Sequence, residues 1–135
     1  MTPALTHIAL QVRDLDASIA FYTEFCNMHL SHKRNDDGAR VAWIAESGRD
    51  NAFVFVLIER AGHRPQAAED FGHLGFALES RAAVDAIAAQ AGSRLAWPPR
   101  EHPFPTGYLC GVRDPDGNIV EFSYGQPLKP ETLLA

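Results

Sequence analysis

His7-Ile8-Ala9-Leu10-Gln11-Val12 and His73-Leu74-Gly75-Phe76-Ala77-Leu78 are one pattern written twice, 66 residues apart in a chain of 135. Each copy sets a histidine at the head of an alternating, strand-like run. Each is followed at the same offset by a residue that starts helices, Asp14 in one and Ser80 in the other. The ends of the copies correspond as well: Ala52-Phe53-Val54-Phe55-Val56-Leu57-Ile58-Glu59 closes the first and Gly117-Asn118-Ile119-Val120-Glu121-Phe122-Ser123-Tyr124 the second. A repeat of this length decides architecture before any single residue does. Two copies packed about a pseudo-twofold axis would let two equivalent histidines and a late glutamate meet, so a metal site is the leading expectation.

Outward from the repeat, the first copy reads as a strand over Thr6–Val12 and a helix over Leu15–Met28, capped by Asp14 or Asp16 and stopped at Asn27. A polar, turn-rich stretch over Ser31–Gly38 follows, then strands near Ala39–Glu46 and Ala52–Glu59. The second copy reads as a strand over His73–Leu78 and a helix over Arg81–Ala91, capped by Ser80 and stopped at Gly92. A proline-rich passage (Pro98, Pro99, Pro103, Pro105) leads to a strand over Tyr108–Arg113. The turn Asp114-Pro115-Asp116-Gly117 feeds the last strand. Strand, helix and strands, twice, is an α+β pattern. One domain is expected, with module one at about 4–60, a linker at 61–71, module two at about 72–125 and a tail at 126–135 that ends in a turn of helix.

Alternation places the side chains. Ile8, Leu10 and Val12 share one face of the first strand and should pack under a helix, while His7, Ala9 and Gln11 share the other. Leu74, Phe76 and Leu78 oppose His73, Gly75 and Ala77 in the same way. A histidine followed by small or polar residues suits a strand that lines a cavity. In the last strand Glu121 shares its face with Ile119 and Ser123. A carboxylate buried there without a partner costs several kcal/mol, and a divalent metal held with two histidines would compensate it. His29, His32 and His63 lie in polar connections and read as surface residues.

Composition narrows the partners. A net charge of −5 gives no general attraction to nucleic acid or anionic lipid. No apolar run approaches the roughly 20 residues of a membrane helix, and Met1-Thr2-Pro3-Ala4 runs straight into the first strand, so no signal peptide is expected. Two isolated cysteines, Cys26 and Cys110, read as buried thiols in a reducing cytoplasm.

These residues resemble the vicinal oxygen chelate superfamily, which includes glyoxalase I, bleomycin-resistance proteins, methylmalonyl-CoA epimerase, fosfomycin-resistance enzymes and extradiol dioxygenases. The resemblance runs from Thr6 to Tyr124. It is carried by His7–Leu15, Ser18-Ile19-Ala20-Phe21-Tyr22, Gly72-His73-Leu74-Gly75-Phe76 and Arg113–Glu121. It implies two tandem βαβββ modules forming a curled mixed sheet around a metal, usually in a homodimer. It also implies a metal ligand or base at each of four strand positions. His7, His73 and Glu121 match three of them. The fourth falls on Val56, with Glu59 three residues on and pointing to the opposite face of a regular strand.

Two histidines and one carboxylate suit Fe(II) or Mn(II), with Zn, Ni or Co possible. The expectation is a small cytosolic enzyme, a lyase, transferase or dioxygenase, whose metal polarises a small-molecule substrate bearing vicinal oxygens. Glu121 and His102 are its candidate catalytic residues. Gln11, Val56, Ser123 and Tyr108 are its candidate pocket residues, with Val54 and Ile58 extending an apolar wall. Valine at the fourth position counts against the proton shuttling of glyoxalase I and the epimerases. An Fe(II) ring-cleaving dioxygenase is favoured by the ligand set and His102, but the tyrosine that this resemblance implies nine residues after that histidine falls on Gly111. Tyr108 or Tyr124 could approach the pocket instead. A metal-independent binder like the bleomycin-resistance proteins is the alternative from another class, and such binders usually lack the histidines.

Overall fold

The computed structural model describes residues 2–131, and its contacts divide the chain into two compact units at Gln66/Ala67. The first unit runs β1 (His7–Val12), α1 (Leu15–Cys26), β2 (Met28–Asp36), β3 (Ala39–Glu46) and β4 (Val54–Glu59). The second runs β5 (His73–Ala77), α2 (Arg81–Ala91), a 3-10 turn at Gly92–Arg94, β6 (Leu95–His102), β7 (Gly107–Arg113) and β8 (Ile119–Tyr124). Both are βαβββ modules. Their sheets have equivalent orders, β1-β4-β3-β2 and β5-β8-β7-β6. In each, the outer β1 or β5 pairs in parallel with the last strand and the remaining pairs are antiparallel.

Local chemistry explains the helices. Asp14 caps α1 through a bond from Ala17 N, and Asn27 ends it at φ 52°, a left-handed conformation asparagine tolerates. Ser80 caps α2 through Ala83 N. Leu15, Phe21, Tyr22 and Phe25 fall on one buried stripe of α1, where the Tyr22 ring meets Phe55 of β4 edge-on at 6.0 Å. In the second unit Val84 and Ala88 of α2 are buried, and the Cys110 thiol contacts the Val84 carbonyl. Phe122 and Val120, fully buried, face that helix side. Cys110 is buried and Cys26 half-buried, both free; burial pushes the Cys110 thiol up to about 11.

Two segments depart from expectation. Ser31–Gly38 is mostly the strand β2, and much of the proline-rich passage is the strand β6. Both are outer strands of their sheets, where a polar composition is tolerated because one edge faces away from the ladder. Pro98 and Pro99 fall in β6 where its register against β7 shifts, the setting in which a residue without an N–H is accommodated. Gln126–Glu131 contains no helical turn, and the end of the tail, where the turn of helix is expected, lies outside the described residues. No helix among the described residues is long and apolar enough to cross a membrane.

Candidate metal-binding site

The parallel pairings test the alignment of the two copies directly. His73 is opposite Ile119 and Gly75 is opposite Glu121 in the second unit. His7 is opposite Val54 and Ala9 is opposite Val56 in the first. Val56 therefore holds in its sheet the register that Glu121 holds in the other.

The turn before β8 sets that register. Asp114 Oδ1 accepts from the amides of Asp116 and Asn118, both at 2.9 Å, and its Oδ2 accepts from the Asn118 side chain at 3.1 Å. Gly117 closes the turn at φ 87°, a conformation costly for other residues. Glu121 then stands between Gly75 of β5 and Gly111 of β7. A Cβ on Gly75 would lie 3.6 Å from Glu121 Oε2, in ordinary contact, so Gly75 is the backbone directly beside the carboxylate. On the other side the Trp97 ring covers Gly111, and its edge meets the His73 ring at 5.6 Å.

The electrostatics of this corner are unbalanced. Glu121 is only 7% exposed. Its ion-pairing partner among the described residues is His73, with Nε2 to Oε1 at 3.6 Å, too long for a hydrogen bond. His73 Nδ1 lies 2.8 Å from the Phe71 carbonyl, which can only accept, so Nδ1 carries the proton. In the neutral ring, Nε2 then presents a lone pair to the carboxylate. A shared cation reconciles two such donors. Donors held about 2.1 Å from one zinc-like ion at a tetrahedral angle lie about 3.4 Å apart, so the pair fits a metal. The Phe71 carbonyl is the kind of second partner that orients a ligating histidine.

The other expected site residues are placed as follows. His7 heads β1 with Nδ1 3.0 Å from Thr6 Oγ1, and lines a cavity of about 710 Å³ together with Val54 and Val56. Gln11 lies on the His7 face, but its amide donates to the carbonyls of Arg60 and Ala61. Ser123 is buried on the Glu121 face, opposite Ala77 and Leu109. His102 is opposite Gly107 on β6, on the Glu121 face but four residues, or about 13 Å, along the sheet from the Glu121 row.

Tyr108 requires correction as a pocket residue. Its hydroxyl bonds Asp85 of α2 at 2.5 Å, and the Arg81 guanidinium sits 3.9 Å from its ring centre. It faces the helix, opposite to Glu121, because strand parity separates position 108 from position 111; Tyr124, its register partner, shares that face. The Asp85 bond pushes the Tyr108 phenol above its ordinary range. His29, expected at the surface, is there, with its side chain 44% exposed and paired with Asp50 at 2.6 Å. Residue-level reading missed Gly75, Gly111 and Trp97 as the surroundings of Glu121, because Trp97 lies in the passage whose prolines argue against a strand. Among the described residues no group of three His, Cys, Asp or Glu side chains is gathered as a complete metal-holding set; the second unit supplies the pair.

Glu59 has a different task. Arg40 holds it through two bonds of 2.8 and 2.9 Å, and the Leu15 amide, in the first turn of α1, donates to it at 2.7 Å. The Arg40 bonds, then the Leu15 amide, hold its carboxyl down at about 2, against an ordinary 4.5. Because the folded value lies below the unfolded one, the stabilisation is complete above about pH 4.5 and is lost as pH falls towards 2. Glu59→Gln is expected to flatten the acid limb of stability between those values and to leave metal affinity unchanged. Denaturant midpoints measured at pH 7, 4 and 3, with a metal titration at pH 7, check both parts. A metal-affinity loss equal to that of Glu121→Gln would overturn the assignment.

Comparison with known proteins agrees with this fold. The family model for the glyoxalase/bleomycin resistance protein/dioxygenase superfamily matches residues 4–122. The chain is 54% identical over 132 residues to uncharacterized protein PA2024 of Pseudomonas aeruginosa, covering 96% of this chain and 94% of that one. It is 30% identical over 123 residues to a probable lactoylglutathione lyase of Vibrio parahaemolyticus, covering 87% of each. The crystal structure of a glyoxylase/bleomycin resistance protein/dioxygenase domain from Frankia sp. EAN1pec superposes with a TM-score of 0.73 at 28% identity, covering 96% of both chains. The chain belongs to the glyoxalase/bleomycin resistance protein/dioxygenase superfamily.

Proposed function

We propose that the protein is a metal-dependent enzyme acting on a small molecule with two adjacent oxygen donors. His73 and Glu121 are the metal ligands the second unit supplies. The observation that carries this reading is the buried Glu121 carboxylate with His73 Nε2 at 3.6 Å, the spacing of two ligands on one ion. A divalent ion bound there supplies Lewis-acid polarisation of the substrate. Glu121 lowers the net charge of the ion and keeps it in place, the Phe71 carbonyl fixes the orientation of His73, and Trp97 keeps water from the Gly111 side.

Val56 sets the reaction type. At the register equivalent of Glu121 it offers no atom that takes up a proton, so no carboxylate stands there to abstract a proton next to a carbonyl. This argues against carrying over the lyase activity in the name of the Vibrio relative, and favours addition to the substrate or its oxidation. Metal analysis of protein purified without chelator is expected to find about one equivalent of Fe, Mn, Zn or Ni per chain. A content well below one that added metal does not restore would overturn the reading in favour of a binding protein.

We infer in addition that the protein works as a homodimer. Phe71 and Phe104 of the second unit are 90% and 67% exposed, aromatic side chains of the type enriched where protein surfaces meet. Sedimentation is expected to give a dimer of 14.8 kDa chains, and a concentration-independent monomer would count against it.

A further inference from the structure

The first unit holds another cavity of about 710 Å³, at the end of its sheet away from His7. It lies where β1 and β4 finish and where β2 turns into β3. Arg13, Arg40, Arg60, Asp36, Glu59 and His63 are among the residues that line it. Arg13 follows His7 by six residues, about 20 Å of extended chain. Three guanidinia thus gather beside two carboxylates in a chain whose net charge is −5.

Both carboxylates are already engaged. Glu59 accepts from Arg40 at 2.8 and 2.9 Å and from the Leu15 amide at 2.7 Å. Asp36 accepts from Arg34 Nε at 3.0 and 3.1 Å. Arg60 is exposed, and its side chain has no hydrogen-bond or ion-pair partner among the described residues. Its backbone is nonetheless fixed, because the Gln11 amide donates to the carbonyls of Arg60 and Ala61 at 3.1 and 3.3 Å. Those two bonds also occupy carbonyl oxygens, groups that repel an anion. A Cβ on Gly38 or Gly62, which line the same cavity, would meet nothing within 4 Å, so the space beside both turns is open.

A guanidinium presents a planar fork that matches the oxygens of a carboxylate or a phosphate. Several cations around one cavity favour the dianion over the monoanion, because the Coulomb attraction grows with the charge of the ligand. The volume is that of a site for a small organic molecule, roughly 300–1,000 Å³, and exceeds what a bare phosphate fills. We propose that this cavity binds a phosphate monoester, with its phosphoryl oxygens held by Arg60 and Arg13 and its organic part in the space beside Gly38 and Gly62. The site is formed within the first unit and does not depend on the metal chemistry proposed for His73 and Glu121.

The test is calorimetric titration of chelator-treated protein in about 0.15 M salt, which screens unspecific attraction between exposed charges. Ribose 5-phosphate is expected to bind with a Kd below about 1 mM, inorganic phosphate about tenfold more weakly, and ribose not at all. Arg60→Gln should weaken ribose 5-phosphate at least about tenfold, the loss of a charge-assisted bond. Arg49→Gln removes the same charge from the turn between β3 and β4, where Arg49 pairs with Glu46 at 2.9 Å, and should change the affinity less than about twofold. Circular dichroism confirms that both variants are folded. Absent binding of ribose 5-phosphate, equal binding of ribose or of inorganic phosphate, or a loss in folded Arg60→Gln no larger than in Arg49→Gln would each overturn the proposal. The titration is done without metal, so its outcome and that of the metal-content experiment stand independently.

Discussion

Replacing Glu121 by glutamine is expected to weaken divalent-metal affinity by at least about a hundredfold while the protein stays folded. Residues that merely orient a ligand cost 10–100-fold when removed, so loss of a charged ligand sets a higher floor. Glutamine has the same shape and takes the same place between Gly75 and Gly111, neither of which sets a side chain against it. It brings an amide in place of the negative charge that would hold a divalent ion. Titration with Zn or Mn of wild-type and Glu121→Gln protein reads the effect; a change under about threefold would place the metal elsewhere. The reciprocal variant sharpens the test. Val56→Glu puts a carboxylate at the equivalent register of the first sheet and is expected to tighten metal binding. It also lowers stability, because apolar contacts are lost and a charge is added to a half-buried position.

The second large effect is structural. Gly107→Ala is expected to lower stability by about 3 kcal/mol, from 1–2 kcal/mol for a left-handed conformation and 1–3 kcal/mol for a forced backbone shift. Gly107 opens β7 at φ 84°, and a Cβ there would meet the Tyr124 carbonyl oxygen at 2.5 Å and the Gly125 carbonyl carbon at 2.9 Å. Both obstacles are main chain and cannot turn aside as a side chain can. For a domain of this size the melting temperature should fall by roughly 10 °C. Gly117→Ala is the control: its φ is 87° but nothing lies within 4 Å, so only the backbone cost of 1–2 kcal/mol should appear. Equal losses in the two variants by thermal melting would show that the clash at Gly107 is relieved locally.

Much of this architecture was legible because it is local or periodic. Caps at Asp14 and Ser80, the stop at Asn27, the Asp114–Gly117 turn and the alternation around His7, His73 and Glu121 each depend on a few neighbouring residues. The repeat fixed the equivalence of the copies, and the opposed pairs Ala9–Val56 and Gly75–Glu121 show why counting along two strands sufficed to align Val56 with Glu121. Glu59 was legible as facing away from that position by strand parity alone. Its partners were not, because Arg40 and the Leu15 amide come from β3 and α1.

Tertiary structure decided what pairing and contact decide. β2 and β6 are strands because β3 and β7 offer them a hydrogen-bonding edge; their own polar and proline-rich residues specify neither. Tyr108 left the pocket because its parity in β7 is set by the ladder with β8, which turns it towards Asp85. Trp97 came to cover Gly111 and meet His73, and Trp43 came to stand beside Val56, through cross-strand register that no local pattern encodes. By itself the sequence determined the repeat, the helices and their caps, and the faces of the inner strands, because local hydrogen bonding and a two-residue period reach only a few positions. The neighbours of Glu121 and Val56 were decided only in the folded sheets, because register brings together residues tens of positions apart.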